Sequence, residues 1–209
     1  MSRAVIRDKQ ILKFINKNKF ATIDQVSLWL NVSYSVTARR LSKLCNMGFL
    51  VDKTIFNLSC KTFFVTSKGI KFSGDSLSGI SKINLSTFQH DLRLTTLIHD
   101  LSNELNIQFL TEREIKKQLS DEFKHIPDAL HITPTNEYII VELELTKKSK
   151  FRALEILKKY RSMLKVQKIY YFFDDNQTKA FIKKLAEELN MSNIIELRDI
   201  DALSKYNTI

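Results

Sequence analysis

Apolar residues recur at helical spacing up to about residue 47, then alternate, and after residue 85 the chain mixes both periods. Ile11, Leu12, Phe14, Ile15 and Phe20 predict a first helix from about Asp8 to Asn18. Thr22 is placed to cap a second helix holding Ile23, Val26, Leu28 and Leu30. Asn31-Val-Ser33 reads as a short turn, with Ser33 capping a third helix from Tyr34 to about Met47 and Gly48 at its C-terminus. On that helix Val36, Leu41 and Leu44 are expected inward, and Ser35, Thr37, Arg39, Arg40 and Lys43 outward. Two alternating runs, Leu50 to Leu58 and Thr62 to Val65, around Ser59-Cys-Lys61, predict a two-stranded β-wing. Thr66 to Phe72 closes it. This order is that of a winged helix-turn-helix.

All four glycines, Gly48, Gly69, Gly74 and Gly79, fall before residue 80, and Ser73 to Lys82 is small and polar. We therefore expect a winged domain over residues 1–75, a linker over 76–86 and a second domain over 87–209. Phe88 to Leu105 predicts a long amphipathic helix. Strands follow at Ile107–Leu110, Ile126–Ile132 and Glu137–Leu145. A helix at Lys150–Leu164, a buried strand at Lys168–Phe173, a helix at Thr178–Leu189 and an edge strand at Asn193–Glu196 complete the order. The class is α/β in the α+β sense, a mixed sheet flanked by helices.

Charge sharpens this division. Of the net +10, residues 1–75 hold 13 Lys/Arg against 4 Asp/Glu, a balance of +9, and the remainder 20 against 19, a balance of +1. Such a local excess attracts a polyanion, although a solvated basic face with no partner has the same composition. Placed on a winged helix, it points to double-stranded or locally melted DNA. Ser35, Thr37, Arg39, Arg40 and Lys43 would sit in the major groove, and Lys53 and Lys61 of the wing on the backbone. No apolar run is long enough to span a bilayer, and no secretory signal is visible at the start. Cys45 and Cys60 have neither metal nor redox spacing. A reduced, cytoplasmic setting is expected.

In the second domain, acids interrupt apolar strands. Asp128 follows Pro127, and Glu142 and Glu144 share one face of the strand from Glu137 to Leu145 because residues two apart point the same way. Three neighbouring carboxylates repel one another unless a cation joins them, and Mg²⁺ or Mn²⁺ favours such oxygen ligands. A metal held there would polarise a phosphodiester and activate water. On alternation alone, the same two glutamates fit the solvent side of a half-exposed strand.

With Pro127-Asp128 and the α-β-β-β-α-β order, the chain resembles the PD-(D/E)XK nuclease superfamily, whose domain is restriction-endonuclease-like. More narrowly, it resembles the replication-relaxation family and the related MobC-type relaxases of mobilisable plasmids. The motifs that carry this are His90-Asp-Leu-Arg-Leu94, Thr111-Glu-Arg-Glu-Ile115, Pro127-Asp-Ala-Leu130, Val141-Glu-Leu-Glu-Leu-Thr146 and the helix running to Lys158-Lys-Tyr160. The resemblance implies a metal held by Asp128, Glu142 and Glu144, with Lys147 and His90 as further catalytic candidates. The superfamily has Lys where this chain has Glu144, so Lys147 or Lys148 would have to lean in, or cleavage is lost.

Glu112 and Glu114 either join the acids or cap the following helix. Tyr160, Tyr170 and Tyr171 are the tyrosine nucleophile candidates, and the paired histidines of HUH-type relaxases are missing. Three functions remain open: a plasmid mobilisation relaxase that nicks one strand at an origin, a non-catalytic DNA-binding regulator of replication or transfer, and a transposase-related or restriction-like nuclease that cuts both strands. The first two would work with other mobilisation or replication proteins, or as a homodimer.

Overall fold

Helix α1 (Arg3–Lys17) begins well before Asp8, because Ser2 caps it by accepting from the Val5 amide. Strand β1 (Ala21–Thr22) leads into α2 (Ile23–Leu30), where Thr22 and Gln25 form a reciprocal capping box. Asn31, in the left-handed region, turns the chain towards α3 (Tyr34–Asn46). Gly48 ends that segment at φ +72°. Strands β2 (Leu50–Thr54) and β3 (Lys61–Val65) form an antiparallel hairpin, followed by α4 (Ser67–Ser73). Ala21 and Thr22 also pair with β3, so the sheet has three strands in the order β1-β3-β2 rather than two. A two-residue strand is too short to leave an alternation in the sequence. Gly69 is required by close approach: a Cβ there would lie 2.3 Å from the Phe49 carbonyl oxygen.

The computed structural model describes residues 2–55, 61–80, 82–146 and 148–202. The expected wing beyond Ile55, through Leu58 to Cys60, lies outside these, as does Lys147. The chain divides into two compact units, Met1–Thr96 and Leu97–Ile209. The core of the first is built from Ile11, Leu12, Ile15, Val26, Leu41 and Leu44, with Phe63 and Val65 from β3. The segment read as a linker is partly packed: Asn16 donates to Asp75 (2.9 Å) and to the Leu77 carbonyl (3.1 Å). Helix α5 (Phe88–Leu105) starts within this unit, where Phe88 stacks on Phe20 at 4.7 Å and Gln25 donates to the Leu92 carbonyl.

The second unit takes the rest of α5, then β4 (Leu110–Thr111), α6 (Glu112–Gln118), β5 (Ala129–Ile132) and β6 (Tyr138–Glu144). Helix α7 (Lys150–Arg161), β7 (Val166–Phe173), α8 (Asn176–Glu188) and β8 (Ile195–Asp199) complete it. The sheet order is β4-β5-β6-β7-β8, antiparallel through β6 and parallel from there. The fold class is α+β. Tyr138, Ile140, Ile169, Tyr171 and Phe173 cover one sheet face and form a core with Ala153, Leu157 and Tyr160 of α7 and Ile182 and Leu185 of α8. Among the described residues, no helix is long and apolar enough to cross a membrane.

Candidate functional site

The expected contact surface of α3 needs correction at three positions. Around a helix of about 3.6 residues per turn, Thr37 lies roughly 40° from Leu41 and Val36 roughly 140°. Position therefore overrides side-chain chemistry. Thr37 is 1% exposed and its hydroxyl donates to the Ser33 carbonyl, so it faces the core and not a ligand. Val36, expected inside, is 40% exposed. Arg40 sits on the flank, where its guanidinium pairs with the buried Asp8 of α1 and also reaches the Ala4 carbonyl. Arg40 thus ties two helices together. Ser35, Arg39 and Lys43 do face solvent, and no acid lies between residues 31 and 48. On the hairpin, Lys53 is exposed over the Phe64 ring, and Lys61 pairs with Asp52 at 3.2 Å.

The acids of β6 do not face solvent. Glu142 and Glu144 are 3% and 4% exposed, on the same face as Ile140 under α7 and α8. Burying ionised carboxylates is costly unless each finds a donor. Glu142 accepts from the Tyr160 hydroxyl of α7, and the His125 Nε2 lies 3.4 Å from the same oxygen. Glu144 pairs with Lys148 of the β6–α7 loop. Asp128 accepts from the Leu143 amide at 2.8 Å, taking a donor just past the last β5–β6 pair, Ala129–Val141.

These groups share one electrostatic neighbourhood. Burial pushes the Glu144 carboxyl up, the Lys148 contact partly offsets this, and Glu142 and Asp128 add to the rise. The Tyr171 phenol, opposite Glu142 in the β6–β7 register, is pushed well up by burial and then by Glu142, Glu144 and Asp128. Burial, followed by Glu142, does the same to Tyr160. Yet the three carboxylates are engaged with separate donors. Among the described residues, no three His, Cys, Asp or Glu side chains form a group able to hold a metal ion. Two buried polar atoms in the second unit, the Tyr171 hydroxyl and His125 Nε2, have no hydrogen-bond partner among the described residues. One of them, His125, carries no signal in the sequence, being a lone histidine in a polar stretch.

The remaining candidates have structural employment. His90 lies in the first unit, 3.7 Å from Asp91. Burial pushes the Asp91 carboxyl up, but hydrogen bonds from His90 and Lys19 outweigh it and hold the group below its ordinary range. Glu114 closes a capping box with Thr111 at the start of α6, and Glu112 pairs with Lys116. Tyr160, Tyr170 and Tyr171 are all buried. Comparison with protein-family models, with curated proteins and with solved structures returned no match.

Proposed function

We propose that the chain binds duplex DNA through α3 as a winged helix-turn-helix, and cuts one DNA strand with a divalent cation held in the second unit. The observation that carries the first part is the solvent-facing set Ser35, Arg39 and Lys43, on a segment without acids. What supports the second is the gathering of Asp128, Glu142, Glu144 and Lys148 around the β6 end of a mixed sheet.

The donor set suits Mg²⁺ or Mn²⁺, which take hard oxygen ligands and commonly use one or two protein carboxylates with water filling the rest. Asp128 and Glu142 would hold the cation, and the Tyr171 hydroxyl, without a hydrogen-bond partner among the described residues, is a neutral oxygen donor opposite Glu142. Bound there, the cation supplies Lewis-acid activation of water and of the scissile phosphate. Lys148 brings its ammonium to Glu144 from beyond the strand, the place where the PD-(D/E)XK resemblance asks for a lysine. The buried Tyr160 orients Glu142 through its hydroxyl. In this reading the second unit is restriction-endonuclease-like, and the whole chain acts in plasmid mobilisation as a nicking relaxase of the replication-relaxation type.

The experiment is a nicking assay on supercoiled plasmid carrying a duplex selected by the protein, with Mg²⁺ or Mn²⁺. Relaxed circles from the wild type, and none from Asp128→Ala, are expected. A wild type that binds the plasmid but leaves it supercoiled refutes the enzymatic part. The separate engagement of each carboxylate favours a second reading, a non-cutting regulator of replication or transfer. Thermal melting separates the two: Mn²⁺ should stabilise the wild type and not Glu142→Ala, since only a ligand of the folded state raises Tm.

A further inference from the structure

We infer that the turn before α3 and its first turn read thymine methyl groups, with Val36 and Val32 as the readers. This rests on the DNA-binding reading above and is independent of cleavage. Val32, Tyr34 and Val36 are 37%, 54% and 40% exposed, three large apolar side chains within five residues. Leaving their exposed apolar surface in water is unfavourable. They adjoin Ser35 and Arg39 on a segment whose only charges are positive, so the surface is complementary to a polyanion and also carries apolar groups. Phosphates cannot use an apolar contact. In the major groove, the apolar feature on a base edge is the C5 methyl of thymine, and the amino-terminal residues of a recognition helix are those that meet base edges. Arg39, one turn further along from Ser35 and Val36, is suited to guanine or phosphate. The preferred duplex therefore contains thymines where Val32 and Val36 dock.

The test selects duplexes from a random library with the full chain, then replaces each thymine of the enriched site by deoxyuridine, which removes only the methyl. One or two positions should each lose about fourfold in affinity, the value of one buried methyl. Val36→Ala should abolish the response at one such position with an unchanged Tm, whereas Arg39→Ala should weaken binding and keep the response. A tight, enriched site indifferent to every methyl overturns this inference and leaves DNA binding standing. No enrichment over bulk duplex overturns both. A Val36→Ala protein whose DNA affinity is unchanged but whose elution volume shifts places a protein partner on the valines and also overturns the inference.

Discussion

Arg39 and Lys43 stand in water on a segment without acids, whereas Glu142 and Glu144 are buried to within a few per cent and each is held by a neighbour. The two regions use charge in opposite ways. Exposed charges cost folding almost nothing and contribute little to it, so they are available to a ligand. Buried carboxylates are desolvated at a cost that the fold must offset, here through the Tyr160 hydroxyl and the Lys148 ammonium. Arg39 and Arg40 bring that contrast into adjacent positions: one faces solvent, and the other closes on the buried Asp8.

The sharpest test of the contrast lies in the acidic cluster. Asp128→Ala and Glu142→Gln should each reduce nicking by about two orders of magnitude or more, the scale of losing cation activation, while DNA affinity in gel-shift titrations stays within a factor of about two. Loss of affinity instead would make the cluster a support of the DNA-binding surface. Next in size, Arg40→Ala should destabilise the protein by about 3 kcal/mol in chemical denaturation, because it leaves Asp8 buried and uncompensated. An unchanged midpoint would place Arg40 with Arg39. That neighbour should behave differently: Arg39→Ala should weaken DNA binding by about tenfold and, if it touches a phosphate, lower the salt slope by about one, with no change in Tm.

The smallest effect concerns pH. Burial holds the folded Glu144 carboxyl above its ordinary range, so between the unfolded and folded values the native state binds the extra proton. Stability from this group is therefore full below the unfolded value and falls as pH rises through that window. Glu144→Gln should raise Tm by about 1–3 °C at neutral pH and by nothing below about pH 4, where both forms are neutral. A gain confined to acid would reverse the sign and remove the desolvation argument.

Much of this architecture was legible because local chemistry and fold agree. Thr22 caps α2, Gly48 turns the chain after α3, and the apolar run of β6 pairs with β7 as a central parallel strand. Two of the corrected positions on α3 share one cause. Placing Thr37 outside and Val36 inside follows residue chemistry, whereas the angle from Leu41 and Leu44 decides which of them is buried. The acids on β6 were legible as a pair on one face, but the period of a strand does not say which face the helices cover.

The sequence alone determined most of the helices and strands, though not β1 or α6, together with the concentration of positive charge in the first third and the shared parity of Glu142 and Glu144, since these depend on residue type and spacing along the chain. Only the tertiary structure decided that Arg40 belongs to Asp8, that Thr37 is core, and that Tyr160, Lys148 and the Leu143 amide each claim a different carboxylate. Those outcomes depend on partners far apart in sequence or brought within reach by strand and loop geometry. A hydrogen bond or ion pair across such a separation leaves no period for a sequence to display.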